Sequence, residues 1–193
     1  MCGSLVPIDA PLVNFGDIVR GRWPAEFSLS SGTIFSWLMN NYWAMNFPAW
    51  QVGDFTFRYS LTSGPKLDAA ANERFGLEQM VPLEQTDGSS STGLFTLLPA
   101  HEGSLLQLDN PNVLISTWKV AEDGNGMIVR LQELSRAPSH ARLQSPALDT
   151  DGAWQSSSLQ DNLAKLPLTN DSVDVTLRPF QVMTLRLTSS QPQ

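Results

Sequence analysis

Cysteine is nearly absent from this sequence. Cys2 is the only one in 193 residues, so no disulfide can form within the chain. That scarcity fits a reducing compartment and makes the cytoplasm the expected location. Histidine is almost as rare: His101 and His140 stand alone in polar surroundings, without the ligand spacing of a zinc site. Positive charge is thin. Twelve Lys and Arg face 19 Asp and Glu, the formal net charge is −7, and the basic residues never form a run. A nucleic-acid-binding surface is therefore not expected. No apolar run approaches a membrane span, and Met1–Pro7 lacks the cationic start and apolar stretch of a signal peptide. There is no Gly-rich phosphate loop, no Gly-x-Ser-x-Gly elbow and no internal repeat. Asp149-x-Asp151-Gly152 and Asp123-Gly124-Asn125-Gly126 lack the rest of a calcium-loop pattern and read as turns.

What is present is aromatic. The apolar fraction is 41%, with six Trp and nine Phe, enough for a real core. The densest part runs Asn40-Asn41-Tyr42-Trp43-Ala44-Met45-Asn46-Phe47-Pro48-Ala49-Trp50-Gln51 and continues as Gly53-Asp54-Phe55-Thr56-Phe57-Arg58-Tyr59-Ser60-Leu61. The second part alternates. Phe55, Phe57, Tyr59 and Leu61 fall on one face and Thr56, Arg58 and Ser60 on the other, the pattern of a half-buried strand. The first part does not alternate and reads as a loop or broken strand. Flat rings beside side-chain amides suit a sugar, whose C–H faces stack and whose hydroxyls bond. The residues of interest are Asn41, Tyr42, Trp43, Asn46, Trp50 and Asp54. The plainer reading makes the rings core, the amides turn anchors, and Asp54 a strand-edge carboxylate paired with Arg58.

Along the chain, residues 1–32 give strand fragments broken by Pro7, Pro11, Gly16, Gly21 and Pro24. Thr33–Met39 reads as a buried strand that pairs with the Phe55–Leu61 strand across the aromatic stretch. Lys66–Phe75 is the one helix, with Pro65 before it and Gly76 at its end. Residues 82–92 form a Ser-rich loop and Gly93–Leu98 a strand. Leu105–Leu108 fits a brief edge strand. From Asn112 the texture changes to short strands: Val113–Val120, a Glu122–Gly126 hairpin turn, Met127–Leu134, Pro138–Leu143, Val173–Leu177 and Gln181–Leu187. Gly152–Leu166 fits either one helical turn or a loop. The expected fold is all-β: an antiparallel sandwich, part of a larger one, over residues 1–108, then a smaller immunoglobulin-like sandwich over 112–188, with one short helix.

The aromatic stretch resembles a segment of glycoside hydrolase family 38, the retaining α-mannosidases, whose C-terminal β-rich region carries Asn-Asn-Tyr-Trp-x-x-Asn-Phe-x-Ala-x-Gln-x-Gly-x-Phe-x-Phe-Arg-Tyr. The likeness extends to Asp9-Ala10-Pro11-Leu12-Val13, Arg20-Gly21-Arg22-Trp23-Pro24, Leu114-Ile115-Ser116-Thr117-Trp118-Lys119 and Arg178-Pro179-Phe180-Gln181-Val182-Met183-Thr184-Leu185. It covers nearly the whole chain, in the family's order. These motifs mark a fold region and carry no catalytic group.

A retaining glycosidase needs two carboxyl groups roughly 5–5.5 Å apart. Here the acidic residues sit mostly in turns, and Asp54 has no second carboxylate near it in sequence. The resemblance attaches a zinc ion to the family's N-terminal α/β portion through a His-x-Asp pair, which this sequence does not contain. The expected protein is the C-terminal β module of a family 38-like enzyme, without cofactor or catalysis of its own. Its expected partners are a catalytic α/β domain, in cis or as a separate chain, and a mannoside. A stand-alone carbohydrate-binding protein is the alternative, and a self-contained hydrolase with a new site a weaker third.

Overall fold

The computed structural model describes residues 2–18, 26, 28–29, 31–39, 50–66, 68–85, 103–145 and 150–189. They fall into two compact units, one within Met1–Leu67 and Phe75–Pro82, the other within Asp68–Arg74 and Leu83–Gln193.

In the first unit, β1 (Cys2–Pro7), β2 (Val13–Phe15), β3 (Ile34–Ser36) and β4 (Tyr59–Gly64) make two antiparallel pairs, β1 with β4 and β2 with β3. The β1–β4 ladder runs from Cys2↔Gly64 to Pro7↔Tyr59. Ile8 N–H continues it onto the Arg58 carbonyl at 3.0 Å. This differs from the expected pairing. Thr33–Met39 does not join the Phe55–Leu61 segment; its strand portion pairs with Val13–Phe15. Nor is Phe55–Leu61 one buried strand, because the regular ladder starts only at Tyr59. Phe55 is 50% exposed and Leu61 76%. Alternation describes which side chains share a face, but burial needs a second layer, and the described residues of this unit provide none over that face.

The helix α1 spans Ala69–Met80. Its first turn starts at a cap: Asp68 Oδ1 accepts the Ala71 N–H at 3.0 Å, and the Asp68 carbonyl accepts the Asn72 N–H. The expected span of 66–75 was displaced at both ends. The carboxylate cap, not Pro65, sets the start. Gly76 does not stop the helix, since an interior glycine costs only about 1 kcal/mol. The helix formers Leu77–Met80 carry it on until Pro82 lies just beyond.

The second unit holds β5 (Gln107–Leu108), β6 (Val113–Val120), β7 (Met127–Glu133), β8 (Ser139–Gln144), β9 (Gly152–Ser156), β10 (Asn162–Leu166), β11 (Ser172–Leu177) and β12 (Val182–Thr188). A five-stranded sheet, β10-β9-β12-β7-β6, faces a three-stranded sheet, β11-β8-β5, and every pair is antiparallel. The all-β sandwich expected from the sequence is what forms. Strict alternation makes the thin layer: on β8, Ser139, Ala141 and Leu143 are buried while His140, Arg142 and Gln144 are exposed. Val129, Leu131, Leu185 and Leu187 of one sheet meet Leu143, Val173, Val175 and Leu177 of the other in one apolar cluster. Each such side chain contributes roughly 1.5–3 kcal/mol of transfer free energy. Gly152–Leu166, read as a helical turn or loop, is instead the β9–β10 hairpin. Of the leucines spaced for a helical turn, Leu159 lies in the turn before β10 and Leu163 at a register shift between Asn162 and Ala164.

The β6–β7 hairpin turns where the sequence places it. Ala121 N–H meets the Gly126 carbonyl at 2.9 Å, and Gly124 and Gly126 take φ of 73° and 89°. At Gly126 a Cβ would lie 2.3 Å from the Leu187 carbonyl oxygen, so only glycine fits.

Candidate functional site

Four of the six sequence-predicted sugar residues, Asn41, Tyr42, Trp43 and Asn46, lie outside the described residues, as do the Gly93–Leu98 strand and His101. Trp50 is 68% exposed. Asp54 is exposed and forms no ion pair or hydrogen bond with another described residue. The expected Asp54–Arg58 pair does not exist. Arg58 instead grips Asp9, with Nε to Oδ2 and Nη2 to Oδ1 both at 2.9 Å, while its backbone N–H reaches Oδ2 at 2.7 Å. The Arg58 guanidinium holds the Asp9 carboxyl below its ordinary pKa. The fork fits because Asp9 follows β1 and Arg58 precedes β4, side by side at the end of one ladder.

Beside this ladder the first unit carries an apolar cleft of roughly 500 Å³ lined by Ile18, Phe35, Ser36, Trp37, Met39 and Phe57. Polar contacts fix its rim. Trp37 Nε1 donates to Asn14 Oδ1, and the Ser36 and Tyr59 hydroxyls bond at 2.7 Å. Trp37 is 45% exposed and Leu38 51%. Rings and aliphatic carbons therefore dominate an open surface, with few polar groups to orient a ligand.

Among the described residues the second unit carries two buried charged side chains that sequence reasoning did not single out. Glu133 ends β7 and is 1% exposed. Burial opposes its charge, but five donors outweigh that. Oε1 accepts the Ser135 N–H and hydroxyl and the Ser139 hydroxyl, while Oε2 accepts the N–H groups of Arg136 and Phe180. Its pKa is held down at about 2. A signal was available: Glu133 continues the series Val129 and Leu131 on the core-facing side of the strand.

Arg186 is the other. It lies on β12 opposite the Leu185 and Leu187 side and is 5% exposed. Nη1 donates to Asp123 Oδ2 at 2.6 Å and to the Asn125 carbonyl at 3.1 Å, and Nη2 to the Gln160 carbonyl at 2.8 Å. That guanidinium holds the Asp123 carboxyl below its ordinary pKa. Gln160, at φ 73°, binds the other loop in turn: its Oε1 accepts the Glu122 N–H and its Nε2 donates to the Glu122 carboxylate. The hairpin tip and the 157–161 turn thus close over a face of the sheet that alternation alone assigns to solvent. Between them lies an open polar groove of roughly 430 Å³.

The resemblance attaches zinc to a catalytic portion. Among the described residues no three His, Cys, Asp or Glu side chains gather into a metal-binding group. His140 contacts Thr176 on the exposed face of the thin sheet. These described residues do not fit that ion. No helix among the described residues is long and apolar enough to cross a membrane.

The second unit is therefore an antiparallel β-sandwich whose two buried charged side chains among the described residues, Glu133 and Arg186, each bind turns. Residues 112–185 match the family described as the glycosyl hydrolases family 38 C-terminal beta sandwich domain. The match covers most of the sandwich and not the aromatic–asparagine stretch. No curated protein matches the chain.

Proposed function

We propose that this chain is the C-terminal β portion of a family 38-like α-mannosidase, supporting a catalytic α/β domain and framing its carbohydrate site. The observation that carries this reading is the family match over the sandwich, because a C-terminal domain of that family implies a catalytic domain in cis. The open apolar surface around Trp37, Leu38 and Met39 supports it, since large exposed apolar areas mark interaction sites. In this reading zinc and the carboxylate pair belong to the catalytic domain. The Asn41–Asp54 stretch contributes sugar contacts beside them, and the assembly works in the cytoplasm.

The test is reconstitution. The chain alone is expected not to hydrolyse aryl α-mannosides, with or without zinc. Joined to or co-expressed with a family 38 catalytic domain it is expected to co-purify and to raise turnover, and Trp43→Ala or Trp50→Ala should then raise KM. Turnover by the isolated chain that vanishes in Asp54→Asn would overturn the reading and make Asp54 a nucleophile. Saturable mannoside binding at Trp50 without any effect on a catalytic domain would instead favour the stand-alone binding protein, which the exposure of Trp50 supports.

A further inference from the structure

We infer that Asn125–Gly126, at the tip of the β6–β7 hairpin, is a site of spontaneous deamidation that converts Asn125 to isoaspartate in the folded chain. It is the one Asn-Gly step in the sequence. Every other asparagine is followed by a residue with a Cβ, which crowds ring closure on the next amide nitrogen. Asn110 is followed by Pro111, whose nitrogen has no proton to lose. The hairpin leaves the reacting groups free. Asn125 is exposed, and its side-chain amide has no partner among the described residues. Gly126 N–H donates to no described residue, although the Gly126 carbonyl accepts from Ala121 N–H at 2.9 Å. Asn125 is held by its backbone alone: its N–H donates to Asp123 Oδ1 at 2.9 Å and its carbonyl accepts from Arg186 Nη1 at 3.1 Å. Its side chain therefore rotates without breaking a contact. Asn14, Asn110 and Asn162 instead have side-chain bonds to Trp37, His140 and Ser156.

Water is the only co-reactant. The Gly126 nitrogen bonds to Asn125 Cγ, the Cγ–Nδ2 bond breaks, and Nδ2 leaves as ammonia with the proton that Gly126 gave up. Water then opens the cyclic imide. Cleavage of its Cγ–N bond gives aspartate, and cleavage of the backbone C–N bond gives isoaspartate. Either product adds a negative charge to a chain that already carries −7. Isoaspartate does more. The carbonyl that accepts from Arg186 leaves the main chain as a carboxylate, and the chain is rerouted through Cβ and Cγ, one atom longer. The tip has no room for that atom. A Cβ on Gly126 would already lie 2.3 Å from the Leu187 carbonyl oxygen, and the Gly126 carbonyl closes the hairpin. The modification therefore unhooks the tip from β12.

The test incubates the folded full chain at mildly alkaline pH, digests it with trypsin and follows the 120–130 peptide, in which Asn125 is the only asparagine, by mass spectrometry. The exchange of –NH2 for –OH is expected at Asn125 about ten-fold faster than at any other asparagine. The aged chain is expected to accept methyl groups from S-adenosylmethionine through a protein isoaspartate carboxyl methyltransferase. Asn125→Gln, which would have to close a larger ring, is expected to melt like the parent and to accept none. The isoaspartyl fraction should melt below Asn125→Asp, which has the charge without the extra backbone atom. Exchange at Asn125 no faster than elsewhere, or seen only in urea, would overturn the inference. So would methylation that persists in Asn125→Gln, which would point to Asp123–Gly124. An isoaspartyl fraction that melts like Asn125→Asp would overturn the unhooking.

Discussion

Arg186 and Asp123 form a lopsided ion pair: Nη1 lies 2.6 Å from Oδ2, yet the arginine side chain is 7% exposed and the aspartate 55%. Removing the buried partner takes away three hydrogen bonds to two loops as well as packing. Arg186→Ala should therefore cost about 2–4 kcal/mol in urea unfolding. Asp123→Asn should move the midpoint far less, because the amide oxygen still accepts and solvent screens the exposed charge. Equal losses would mean that the ion pair, rather than the carbonyl contacts, holds the hairpin tip.

Glu133 makes stability depend on pH. Its carboxyl titrates at about 2 in the folded chain against 4.5 as the ordinary value. A lowered folded pKa stabilises fully above about 4.5, and that contribution fades as pH falls from there toward 2. Glu133→Gln should unfold more easily at pH 7 and differ much less from the parent at pH 2, as read from urea midpoints. An unchanged difference across that window would contradict the assigned clasp.

The hairpin glycines should separate strain from clash. Gly124→Ala meets open space and pays only for a left-handed residue, about 1–2 kcal/mol. Gly126→Ala adds a Cβ driven against the Leu187 carbonyl and should lose more than Gly124→Ala by thermal melting. Comparable melts for the two variants would show that the tip moves away freely.

A core leucine and a half-exposed aromatic should diverge. Leu185→Ala, at a fully buried site between the sheets, is expected to cost about 2–5 kcal/mol. Phe55→Ala, half exposed, should cost about 1 kcal/mol or less. Parity in chemical denaturation would return Phe55 to the core that its alternation first indicated.

The sequence by itself determined the sandwich. Alternation on β8 and β11 and the Asp-Gly-Asn-Gly turn specify face and register locally, because side-chain direction flips at every strand residue and positive φ selects glycine. The same local rules misread Phe55–Leu61, where the face was legible but its cover was not. Only the tertiary structure decided that Arg186 is buried, and that Glu133, which alternation puts on the core face, finds the donors to stay charged there. Glu133 owes its low pKa to donors reaching from Ser139 and Phe180 as well as from its own turn. Arg186 owes its burial to two loops centred about 26 and 63 residues away along the chain. A charge can leave water only where several partners converge on it, and such convergence is a property of the folded arrangement, not of neighbours in sequence.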